Sequence, residues 1–268
     1  VRTQCVNGST DTLNQADRNT ILKQLKSLQT QLYAEGNADY AGRTVFTGYR
    51  TDQNLVFTNN ETKTSYEIEQ NFSYEELESF RYYTGNVKVP ATKDEVLKSD
   101  ISDTTQTNYY RLRTSYDKLD GMSAFSYTTK DAAGATQKVT INLENATDQT
   151  GTNVDGSNFT YKTATAVDAG GAAINPARTM YVFDTEEDWA TVMGQKEVGE
   201  NDIVLIKENG NIVLGEKVSS EFRTNKSTIA TTYDKTGFDQ GELRPEYYFN
   251  CTNKTDAKNP VSYKKYDE

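Results

Sequence analysis

Gln31-Leu-Tyr-Ala-Glu-Gly36-Asn-Ala-Asp-Tyr40-Ala-Gly42-Arg-Thr-Val-Phe46-Thr-Gly48-Tyr-Arg-Thr-Asp52 joins two incompatible periodicities across one glycine. Upstream, Ile21, Leu25, Leu28 and Leu32 recur at the a/d rhythm of a narrow helix–helix seam. Downstream of Gly42 come β-branched and aromatic residues that read as a strand. The stretch predicts a long helix that breaks at Ala41-Gly42-Arg43 and hands over to extended chain.

The helix is expected from about Asp11 to Tyr40, nearly thirty residues long. Asp17, Arg18, Lys23, Lys26 and Gln29 fall off the seam and should be solvated. A helix packed on its own domain and a coiled-coil seam both fit so short a stripe. Residues 1 to 10 read as a tail. Thr44 to Phe46 and Asn54 to Thr58 read as two short strands joined through Gly48 to Gln53.

The rest is expected to be β-rich. Tyr66, Ile68 and Gln70 alternate with charged residues, as in a half-buried strand. Capping-box patterns at Ser73-Tyr-Glu-Glu76 and Thr92-Lys-Asp-Glu95 predict two short helices. Asn108 to Leu119 fits helix and strand equally. Ala124 to Thr128 and Lys138 to Leu143 read as strands around a turn at Asp131 to Ala135. Thr147 to Asn158 reads as a loop, Ala164 to Pro176 as a small-residue connector and Met180 to Phe183 as a strand. Thr185-Glu-Glu-Asp188 opens a short helix carrying Trp189, closed by Gly194. Asn209-Gly210 between Ile203–Ile206 and Ile212–Leu214 predicts a hairpin. The fold class is therefore α+β. A long N-terminal helix with a flanking β-hairpin occupies residues 1–58, a β-rich head with short helices 59–250, and a return segment 251–268.

Composition narrows function. The 268 residues carry a net charge of −10 and no histidine, with a pI near 4.8 and mean hydropathy of −0.79. An acidic balance opposes nucleic-acid binding, which needs clustered Lys and Arg. Ile203–Ile206, among the longest apolar runs, is far short of a membrane span. Without histidine, Ser-His-Asp and Cys-His catalysis are excluded, along with the commonest metal ligand. Eighteen tyrosines offset the thin apolar core, since each buries a ring while its hydroxyl stays wet. The two cysteines, Cys5 and Cys251, could pair only if the chain ends are adjacent, and two independent thiols are the simpler reading.

Candidate ligand sites are weak. An EF-hand frame around Asn153-Val-Asp155-Gly156 would place Gly151 first and Lys162 last, where a bidentate Glu belongs. Asp234 to Glu242 gathers three carboxylates beside two glycines and reads as a solvated turn. Asn-x-Ser/Thr triplets at Asn7, Asn60, Asn71, Asn145, Asn158, Asn225, Asn250 and Asn253 are what chance supplies in an Asn- and Thr-rich chain. No catalytic, cofactor or metal residue stands out.

The opening stretch resembles the bacterial flagellin superfamily, and within it the hook–filament junction branch (hook-associated protein 3). The resemblance rests on heptad leucines followed by Asn37, Gly42-Arg43, Val45-Phe46, Thr47-Gly48, Tyr49 and Thr51-Asp52, over roughly residues 13 to 58. Gly42-Arg43 with Phe46 favours the junction branch over filament flagellin. Gly241 to Cys251 also looks familiar from larger members of the family. Gly36 departs from the pattern, since a helix former usually stands there. The chain starts at Val1, and the family's extreme terminal helices are missing, which reads as a fragment.

The resemblance implies a structural role without chemistry. The intact protein would leave through the flagellar export apparatus without a cleavable signal and sit between hook-associated protein 1 and flagellin. It would self-associate when full-length, and Ile21, Leu25, Leu28 and Leu32 would pack on returning helices. This chain alone is expected to be monomeric or weakly associated. Filament flagellin and a carbohydrate-binding surface module with an exposed Tyr/Trp platform are the competing classes, and a carboxylate glycosidase is a third.

Overall fold

The computed structural model describes residues 1–9, 13–48, 50–84, 105–131, 133–153, 155–194 and 196–265. Within these the chain is mixed α+β, with four α-helices and a large β-sheet. It divides into two compact units, one made of residues 1–66 and 236–268 and the other of 67–235.

In the first unit, helix α1 (Arg2–Gly8) replaces the expected tail, and α2 (Gln15–Gly36) follows. Helix α2 has 22 residues, fewer than the near-thirty expected. Its start is set by Asn14, whose Oδ1 accepts from the Asp17 amide at 3.0 Å while Asp17 Oδ2 accepts from the Asn14 amide at 3.2 Å. That reciprocal cap satisfies two orphan donors of the first turn. The expected start at Asp11 lies outside the described residues.

The helix stops at Gly36, not at Gly42. Gly42 instead turns a hairpin between β1 (Asp39–Tyr40) and β2 (Arg43–Thr44). Ala41 at φ 53° and Gly42 at φ 77° give the two positive angles of a type I′ turn. The expected Thr44–Phe46 strand is thus reduced to its first residue. Asn54–Thr58 is no strand either: only Val56 makes a bridge, to Leu243.

The core of this unit is aromatic. Phe57 stacks on Phe238 at 4.7 Å between ring centroids, and Tyr66 meets Phe238 edge-on at 5.5 Å. The Arg244 guanidinium lies over Phe57 at 4.7 Å. Arg244 Nη1 also donates to Glu246 Oε1 at 3.2 Å, and the Glu246 side chain is only 1% exposed. Burial pushes the Tyr66 hydroxyl well above its ordinary range, and the Glu246 carboxylate adds to that. Glu246→Ala should therefore destabilise this unit by roughly 3 kcal/mol, the low end for removing one partner of a buried pair, because Arg244 keeps some solvent access. Glu246→Gln should cost clearly less. Equal melting temperatures for both variants and the parent would show that the pair contributes nothing.

A 3₁₀ turn (Pro245–Tyr247) precedes the return segment, which carries most of β14 (Asn250–Asn253) and all of β15 (Val261–Tyr263). Cys5 is exposed and Cys251 buried, and no disulfide joins them.

The second unit begins within β3 (Glu61–Ser73) and ends within β13 (Thr228–Phe238). Between them lie β4 (Glu78–Thr84), β5 (Thr105–Arg113), β6 (Gly121–Lys130), β7 (Thr136–Asn142), β8 (Thr147–Thr152), β9 (Asn158–Asp168), β10 (Thr179–Phe183), β11 (Ile203–Ile206) and β12 (Asn211–Leu214). Helices α3 (Glu186–Val192) and α4 (Glu216–Asn225) complete it. The strand order from β3 is β13, β6, β7, β9, β10, β11, β12, β5, β4, with β8 added on β9.

All eight residues of β11 and β12 are buried. Strand alternation sends them to two faces. On one face Val204, Ile206 and Val213 meet Trp189 of α3, Phe183 and Tyr82. Helix α3 is the crossover that makes β10 and β11 parallel.

Several expectations change here. Ser73–Glu76 caps a single 3₁₀ turn (Tyr74–Glu76), and Leu77 then releases the chain into β4. The Thr92–Glu95 helix lies outside the described residues. Asn108–Leu119 resolves toward strand, as part of β5. The Thr147–Asn158 loop is largely β8, and the Ala164–Pro176 connector begins inside β9. Polar β8 is held by its ladder to β9, in which Phe159 covers Gly151; a Cβ there would lie 2.3 Å from the ring.

Candidate functional site

Helix α2 buries none of its residues fully. Ile21 and Leu25 are half-buried, whereas Leu22, Leu28 and Leu32 are 55%, 38% and 65% exposed. Leu22, Leu25, Leu28 and Leu32 line a groove together with Gln29, Tyr33 and, from the α1 side, Val1 and Cys5. Ile21 lies apart from that lining, beside α1: a Cβ on Gly8 would stand 3.7 Å from Ile21 Cγ2. Of the four seam residues, the structure thus brings Leu25, Leu28 and Leu32 into one apolar groove. Leucines left this open on a helix cost solvation unless something packs on them.

The motif residues downstream do different work. Asn37 is the C-cap of α2, and its amide reads the Val56 backbone in both directions. Its Nδ2 donates to Val56 O at 3.2 Å, and Val56 N donates to Asn37 Oδ1 at 3.0 Å. The side chain thus acts as one rung of β-ladder for the segment bridged to Leu243. Asn37→Ala should lower stability by about 2 kcal/mol, since two part-buried backbone groups lose their partner. Hydrogen exchange at the Val56 amide should rise with it; unchanged protection there would refute the clamp.

Gly42 serves the turn described above, and Arg43 pairs with Tyr40 across it. Gly48 takes φ 61° in the bend that follows. Phe46, one of the residues that carry the resemblance, is 61% exposed, along with Val45 at 57% and Tyr40 at 82%. These apolar side chains stand on the hairpin and its exit.

Four side chains shape this region in ways that sequence reasoning missed, those of Thr44, Thr47, Tyr33 and Arg50. Thr44 and Thr47 are buried and share a hydroxyl contact, and Thr44 Oγ1 also donates to Gln53 O at 2.9 Å. Tyr33 lies flat on Gly241, where a Cβ would come within 2.0 Å of the ring, and Gly241 holds φ 91°. In the sequence Gly241 reads as a turn glycine and as the start of the second stretch that looks familiar from the family. Arg50 adds a cation–π contact to Tyr263 at 4.6 Å.

The alternative sites fare differently. Trp189 is fully buried, so it offers no surface platform for a sugar. Its indole donates to Glu197 O at 3.2 Å. The Gly151–Lys162 frame is a β8–β9 hairpin, with Asn153 and Ser157 closing its tip. Among the described residues no three His, Cys, Asp or Glu side chains gather as metal ligands, and the expected turn at Asp234–Glu242 is strand β13 as far as Phe238. Asp202 is held above the usual carboxylate range by burial, while the Thr179 amide donates to it, which is the setting of a structural turn. No helix among the described residues is long and apolar enough to cross a membrane.

No family model, no curated protein and no solved structure matches this chain.

Proposed function

We propose that this chain belongs to a structural, non-catalytic subunit of the bacterial flagellum, of the hook–filament junction type. The observation that carries the reading is the uncovered leucine face of α2, followed directly by the Asn37 clamp and the Gly42-Arg43 turn. A face of that kind suits a helix that packs lengthwise on other helices, as in a rod built by self-association. The resemblance of residues 13 to 58 supplies the identity of the assembly. On this reading hook-associated protein 1 lies on one side, flagellin on the other, and the subunit works outside the cell after passing the export apparatus.

The test is genetic and biochemical. Deleting the gene in its host should leave hooks without filaments and release unpolymerised flagellin into the medium. Restoring the intact gene with Leu28→Glu and Leu32→Glu should give the same phenotype. Because both side chains are solvent-exposed, the 268-residue chain carrying these changes should melt within about 1 kcal/mol of its parent. Normal filaments in the deletion strain would end the proposal.

A further inference from the structure

We draw no further inference here: the strongest candidate, the apolar groove along the helix Gln15–Gly36 lined by Leu22, Leu25, Leu28 and Leu32, belongs to the assembly face already proposed, and nothing in the structure shows what else covers it.

Discussion

Raising the pH from 9 to 12 is expected to unfold the second unit cooperatively. Tyr82 and Tyr127 are both buried, and burial pushes each hydroxyl up to about 12; the carboxylates of Glu186 and Glu221 respectively add to that. Burial raises Tyr233 further in the same direction. In the unfolded chain a tyrosine ionises near 10. The folded pKa lies above the unfolded one, so this stability is fully present below about pH 10 and is lost as pH climbs toward the folded value. Each of the three withdraws about 2 kcal/mol by pH 12, a sum comparable to the whole stability of a typical domain. Absorbance at 295 nm should rise in two steps as the tyrosines ionise. The second, steep step should coincide with loss of the β-sheet circular dichroism. Tyr82→Phe with Tyr127→Phe should move that step to higher pH. A single smooth titration with the dichroism intact would contradict the burial described.

Gly210→Ala is the point substitution expected to do most damage. Gly210 holds φ 66°, and a Cβ there would lie 2.0 Å from Thr114 Oγ1 and 2.5 Å from the Tyr116 carbonyl. Neither neighbour can withdraw. The Thr114 amide donates to Gly210 O at 2.9 Å, and its hydroxyl stands 2.6 Å from Tyr116 O. Left-handed strain and a backbone collision together should cost about 4 kcal/mol. In a unit of this size that lowers the melting temperature by roughly 8–16 °C. Gly156→Ala is the matched control, since Gly156 has φ 86° but open space around it, and should cost only about 1 kcal/mol. Similar losses for the two variants would mean the contact with Thr114 is not rigid.

The contrast between these glycines shows what the sequence could reveal. Asn209-Gly210 announced a reversal, and a reversal is there, but its loop runs through Lys207–Gly210, with Ile206 opposite Asn211. That Gly210 also backs onto Thr114 depends on β5 lying beside β12, a long-range pairing without a local signal. The same reason hides β8: Thr147–Thr152 is polar with a glycine, and only its partner β9 makes it a strand. Local signals were dependable where the deciding contact is local, as in the Thr185–Asp188 capping box of α3. They failed at Gly42, where helix end and hairpin turn, six residues apart, were read as one event. For the candidate site, the apolar rhythm from Ile21 to Leu32 was legible. Its exposure was not, because periodicity marks a face without saying whether anything lies on it.

The Ser65 and Thr236 hydroxyls lie 3.0 Å apart, within one and the same unit. The chain leaves this unit along β3 after Tyr66 and returns to it along β13 at Thr236. An excursion anchored that way can be swapped for a longer or shorter one with little penalty to its host, since doubling the length of a closed loop costs only about 0.6 kcal/mol. The same two crossing points give a protein engineer a place to mount unrelated cargo.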